Sequence, residues 1–205
     1  MATGANMPED PARSPQQVRS HVVENLRFIR ETMEAAGAFT AMSGRAQVVI
    51  GATALGAALL ASRQPDGVRW LAVWLAEAVV AVAIATAGIL EKSRRRRLPL
   101  LSGVSRRFWP SLAAPLFVGA ALTVALATRG QFDVLPGVWL LLFGAAIVAG
   151  GALSVPLVRA MGWSFLALGL GALFAPPAWG DAFLAGGFGG LLAVFGVAIA
   201  RRHGG

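Results

Sequence analysis

Glu77 is the one ionisable residue set deep within an apolar stretch of this sequence. Trp70, Trp74 and Glu77 follow an i, i+4, i+7 spacing, which places two indoles and a carboxyl on one face of a helix. A charged side chain near the middle of a bilayer costs about 2–3 kcal/mol, so Glu77 is expected to face protein or a cavity. Two electron-rich rings beside a carboxylate suit a lipophilic cation. The same three residues also suit a structural role, with a neutral carboxyl bonded to a neighbouring helix and the tryptophans serving packing and interfacial positions.

The densest charge run is Arg94, Arg95, Arg96 and Arg97. Basic residues near an anionic leaflet contribute about 1 kcal/mol each, which makes this run a candidate anionic-lipid contact. It equally serves as a topology determinant. The loop is short and has no interleaved aromatics, so nucleic acid is not an expected partner. The sequence has no cysteine, which excludes disulfides, thiolate metal sites, iron–sulfur clusters and cysteine nucleophiles. His21 and His203 both lie outside the apolar segments, so no haem is expected between membrane histidines. Thr53, Thr86, Thr123 and Ser164 are scattered hydroxyls, expected to bond backbone carbonyls. No second carboxylate or histidine stands at an obvious matching depth to Glu77, as a membrane-embedded enzyme would need. No catalytic residue, metal or cofactor is expected.

The elements that position these residues follow from composition. The chain has 205 residues, 56% hydrophobic and 14% charged, with a mean hydropathy of +0.65. A bilayer core of about 30 Å takes roughly 20 apolar residues per helix. Six apolar segments meet that need, near residues 46–61, 68–90, 109–127, 134–153, 157–175 and 182–200. The expected fold is all-α: a membrane domain over 46–200 with six transmembrane helices in three hairpins, followed by a basic tail over 201–205. Fifteen Lys and Arg flank one set of helix ends and three, Arg63, Arg69 and Arg129, flank the other. The positive-inside rule then puts both termini in the cytoplasm. The first span is expected to act as its own insertion signal. Trp70, Trp109, Trp139 and Trp179 fall near predicted helix ends, as an aromatic belt requires. The outer turns carry or closely precede Asp66, Asp133 and Asp181. Small residues crowd several helices, and Gly186-x-x-x-Gly190 is a small-xxx-small packing pattern, expected to meet another helix of the same chain.

Residues 1–13 are expected to be a disordered tail. Residues 14–37 read as a cytoplasmic amphipathic helix. Ser14 caps it, Pro15 suits the first helical position and Gln17 completes a capping box. Val18, Val22, Leu26, Ile29 and Met33 make its apolar face. Arg27–Glu31 and Arg30–Glu34 pair opposite charges four residues apart. Its polar face balances Arg19, Arg27 and Arg30 against Glu24, Glu31 and Glu34. A strongly basic face would favour lying on lipid; balanced charge suits packing on protein. Residues 15–36 are then expected either to pack on the protein itself or lie at the membrane interface, or to meet a partner.

Two stretches carry a resemblance: Glu24-Asn25-Leu26-Arg27-Phe28-Ile29-Arg30-Glu31-Thr32-Met33-Glu34 continuing to Phe39-Thr40, and Ala178-Trp179-Gly180-Asp181-Ala182-Phe183 leading into the glycine-rich last segment. They resemble a group of uncharacterised bacterial membrane proteins with the same layout over nearly the whole chain. The resemblance implies a bacterial inner-membrane protein of six helices and implies no activity, ligand or site. Separately, Leu75-Ala76-Glu77 is similar to the surroundings of the lone membrane glutamate in small proton-coupled multidrug exporters, although the rest of the chain departs from them. Two functions therefore stand as expectations. One is a non-catalytic accessory or regulatory membrane subunit that contacts a partner through its cytoplasmic helix. The other is a small proton- or cation-coupled transporter that uses Glu77.

Overall fold

The computed structural model describes residues 23–29, 44–96, 105–150 and 156–203, with the backbone alone at 92–96, 105–112 and 202–203. Among the described residues every regular element is helical and there is no strand. Residues 23–29 form α1. The expected tail over 1–13, the rest of the amphipathic helix and Arg97 lie outside the described residues. The remaining helices are α2 (Gly44–Ala61), α3 (Gly67–Arg96), α4 (Ser105–Ala127), α5 (Leu135–Gly150) and α6 (Pro156–Phe174). A last continuous rod begins as α7 (Gly180–Leu184), widens into a π-helical segment (Ala185–Leu191) and ends as α8 (Leu192–His203).

Five stretches are long and apolar enough to cross a membrane by length and composition: Gly44–Ala61, Gly67–Glu91, Phe132–Gly150, Pro156–Phe174 and Pro177–Arg201. The chain is thus an α-helical protein of the multi-pass membrane type. In α4 the side chains are described from Ala113 on, and Ala113–Ala127 is a further apolar helical stretch. α3 runs past the expected end of its segment, so Arg94, Arg95 and Arg96 continue the helix and do not form a loop. Arginine has a high helix propensity, and cations are favoured where the helix dipole is negative.

The connections are compact and closed by local chemistry. Asp66 caps α3: its Oδ1 accepts the backbone N–H of Arg69 at 2.8 Å, and its Oδ2 lies 3.4 Å from Arg69 Nε. After α4 the chain reverses at Gly130, whose φ of 71° favours glycine. There the N–H of Gly130 donates to the carbonyl of Ala127 and that of Gln131 to Leu126, a Schellman closure. A 3-10 turn at Pro177–Trp179 leads into α7. The three turns gather at one end of the bundle: Gly67 packs on the ring of Phe132, and Gly180 packs on Pro136.

Between helices in lipid there is little hydrophobic drive, so close van der Waals approach and interhelical bonds carry association. Two seams supply that approach. A Cβ at Gly51 would lie 2.7 Å from the carbonyl oxygen of Gly189, and one at Gly196 would lie 2.8 Å from that of Gly44. A Cβ at Gly144 would lie 2.9 Å from the oxygen of Gly162, and one at Gly137 3.1 Å from that of Gly169. In each seam two glycines seven apart meet two glycines seven apart on an antiparallel neighbour. A seven-residue step returns to nearly the same face of a helix. One seam joins α2 to the last rod; the other joins α5 to α6. Between them lies an aromatic cluster of Phe143, Phe165 and Phe188, with ring centroids 4.8–5.6 Å apart. Phe165, Leu135, Leu140 and Leu184 are fully buried.

The expected Gly186-x-x-x-Gly190 contact needs correction. A Cβ at Gly186 would only just reach Leu168, at 3.8 Å, and one at Gly190 would meet only its own rod. The packing glycines are Gly187, against Leu140 and Phe165, and Gly189, against Leu55 and Gly51. The reason is the π-helical segment, where i→i+5 bonding replaces i→i+4 and residues four apart no longer stack.

Candidate functional site

α3 is the helix that positions the candidate residues. Only 6% of its membrane-length window is buried, against 33–44% in the other four. It leans on α2 with one face, while Val68, Leu75, Val79 and Val82 are exposed on the other. The inner face carries Trp70, Val73, Trp74, Ala81, Ile84 and Ala85, which pack on the core. Glu77 lies on this face, half-buried.

The structure divides the three sequence-predicted residues between two partners. Thr53 Oγ1 on α2 lies 2.8 Å from Glu77 Oε1. The same oxygen lies 3.0 Å from the carbonyl of Ile50. The hydroxyl has one proton to give, so only one of these contacts takes it at a time. When Glu77 is a carboxylate, it accepts from Thr53. When Glu77 carries a proton, it donates to Thr53, and Thr53 donates to Ile50.

The tryptophans turn to another carboxylate. Trp70 Nε1 donates to Asp181 Oδ1 at 2.7 Å, and Trp74 Nε1 donates to the same oxygen at 3.2 Å. Trp74 is buried at 4% exposure. Trp70 stacks on Trp139 of α5, with centroids 5.7 Å apart and planes 8° from parallel. Trp139 Nε1 in turn donates to Thr123 Oγ1 at 2.8 Å, and Thr123 donates to the carbonyl of Gly119 at 2.7 Å. Three indole N–H groups thereby tie α3 to α7 and α5 to α4 at the turn end of the bundle. The Trp70 and Trp74 N–H groups are both bonded to Asp181, and one face of the Trp70 ring is taken by Trp139.

Asp181 is the residue that sequence reasoning did not bring to this site. It noted Asp181 only as one of three aspartates near the outer turns. Its partners are 111 and 107 residues away, so no local spacing marks the contact. Thr86 and Ser164 behave as expected and donate to the carbonyls of Val82 and Ala160. Arg94, Arg95 and Arg96 end α3, but their side chains fall outside the description. Gln47 is a further polar residue in the interior, 3% exposed, and its Oε1 has no hydrogen-bond partner among the described residues. No group of three or more His, Cys, Asp or Glu that could hold a metal occurs among the described residues. No protein-family model, curated protein or solved structure matches the chain.

Proposed function

We propose that the chain is a six-span bacterial inner-membrane protein with both termini in the cytoplasm. In this reading it serves as a non-catalytic accessory or regulatory subunit and meets a partner protein through the helix around α1. The observation that carries this reading is the exposure of α1's apolar side chains: Val23 at 64%, Leu26 at 60% and Ile29 at 52%. Val23, Leu26 and Ile29 recur every three residues and so form one apolar strip of the helix, of the kind a partner groove takes. The interior is consistent with a scaffold, since the indole N–H groups of Trp70, Trp74 and Trp139 and the carboxyl of Glu77 all have partners inside the bundle.

The test is extraction from native membranes in polymer nanodiscs, followed by mass analysis of the species obtained. A stoichiometric partner is expected, and Leu26→Glu with Ile29→Glu is expected to release it while the membrane domain stays folded. Recovery of this chain alone would oppose the reading. The orientation is checked separately. With no native cysteine to interfere, single cysteines at Gln64 and Ser102 should react with an impermeant thiol reagent from opposite sides. Labelling from one side would refute the six-span arrangement.

A second reading is favoured by the Thr53–Glu77 contact: a small proton- or cation-coupled transporter in which Glu77 carries the coupling charge. Glu77→Gln separates the two. A transporter loses coupled uptake or efflux entirely. An accessory subunit with the same change still complements its deletion strain, because the glutamine amide can bond Thr53.

A further inference from the structure

We propose that Glu77 is an exchangeable proton-binding site, and that Asp181 is the second carboxylate through which protons reach it from the turn end of the bundle. Such a site serves a regulatory subunit as well as a transporter. Three observations carry it.

First, Glu77 has no ion-pair partner among the described residues, whereas Asp181 at the turn end is held by two indole N–H groups. At the turn end Arg69 pairs with Asp66, and both are exposed. The other charged side chains of that end, Arg63, Arg129 and Asp133, are exposed as well. A carboxylate at membrane depth with no cation beside it is neutralised by a proton or a bound cation.

Second, the Thr53 hydroxyl serves both protonation states of Glu77. Its oxygen reaches Glu77 Oε1 and the Ile50 carbonyl at 2.8 and 3.0 Å. A carboxylate receives the hydroxyl proton; a carboxylic acid gives its own proton to the hydroxyl, which then turns to Ile50. Neither state leaves a group at this contact without a partner.

Third, the two carboxylates address the same face of α3 on either side of Trp74. Trp70 and Trp74 hold Asp181 Oδ1 from one side. Glu77 follows Trp74 by three residues, about 4.5 Å along the axis. Asp181 is partly exposed, Trp74 is buried and Glu77 is half-buried; in the proposed route the Trp74 ring is the barrier between the two carboxylates. When its N–H leaves Asp181, water enters beside the ring. A proton taken from solvent by the Asp181 carboxylate then passes through that water to Glu77. Asp181 returns to its anionic form, and Glu77 is left neutral with one proton gained.

The experiment is infrared hydrogen–deuterium exchange on the full chain in nanodiscs. The Glu77 carboxyl band is assigned by its loss in Glu77→Gln, at a pH low enough for the band to be present. Trp74→Phe keeps the ring and removes one N–H, and should speed exchange about tenfold. Asp181→Asn keeps the acceptor for both indoles and removes the relay group, and should slow exchange about tenfold. Where Trp74→Phe does not give a monodisperse protein, Trp70→Phe, which removes the other N–H, takes its place. A rate within twofold of the unchanged protein in either variant overturns the proposal, as does a Glu77 band that appears at no pH above 4.

Discussion

Asp181→Ala is expected to lower the stability of the folded bundle by about 2–3 kcal/mol, and Asp181→Asn by less than about 1 kcal/mol. Asp181 Oδ1 is the acceptor for two indole N–H groups. Truncation to alanine orphans both. A buried donor without an acceptor costs about 1–3 kcal/mol. Trp74, at 4% exposure, bears that cost in full, whereas half-buried Trp70 recovers part of it from water or headgroups. Asparagine keeps an oxygen in the same place, so its loss is confined to the weaker neutral bond. Denaturant titration of the two variants in mixed micelles, followed by tryptophan fluorescence, checks the difference. Equal losses would mean that the volume of residue 181, and not its acceptor, holds α3 to α7.

The second large effect lies in the glycine seams. Gly51→Ala is expected to cost about 2 kcal/mol, and Gly144→Ala about the same. The added methyl at Gly51 would stand 2.7 Å from the Gly189 oxygen, and at Gly144 2.9 Å from both the Gly162 oxygen and the Leu166 nitrogen. Backbone atoms on both sides leave no flexible side chain to move aside, so the helices must separate. Gly56→Ala is the matched control. It stands on the same helix as Gly51 with nothing within 4 Å of the new carbon, and should be neutral or stabilising by up to about 1 kcal/mol through helix propensity. The same unfolding titration applied to Gly51→Ala and Gly56→Ala decides it. If both respond alike, the α2 seam is looser than the structure draws it.

Much of the fold was legible before any coordinate. The apolar segments predicted near 46–61, 157–175 and 182–200 correspond to α2, α6 and the α7–α8 rod within a few residues, because a run of about 20 apolar residues has few other fates. Helix ends were less legible where chemistry overrides hydropathy. α3 continues through Glu91 and Lys92 to Arg96, because an exposed helix end gains nothing by stopping where the apolar residues stop. The packing glycines were legible in principle. Gly44 with Gly51, Gly137 with Gly144, Gly162 with Gly169 and Gly189 with Gly196 all repeat at seven. The familiar four-residue spacing of Gly186 and Gly190 drew attention instead, and the π-helical segment put that pair out of phase.

The candidate site divides in the same way. Residue type and helical spacing alone placed Trp70, Trp74 and Glu77 on one inner face, since a carboxyl in a bilayer has to look inward. What that face looks at was a tertiary matter. Thr53 stands 24 residues before Glu77, and Asp181 stands 111 after Trp70. Bonds across such distances depend on which helices pack together, and that depends on the glycine seams. Hydropathy determines, residue by residue, that a segment is helical and membrane-like. Only the packed bundle decided that two tryptophans share one aspartate while the glutamate beside them answers to a threonine, because a hydrogen-bond partner is chosen by three-dimensional proximity and not by position along the chain.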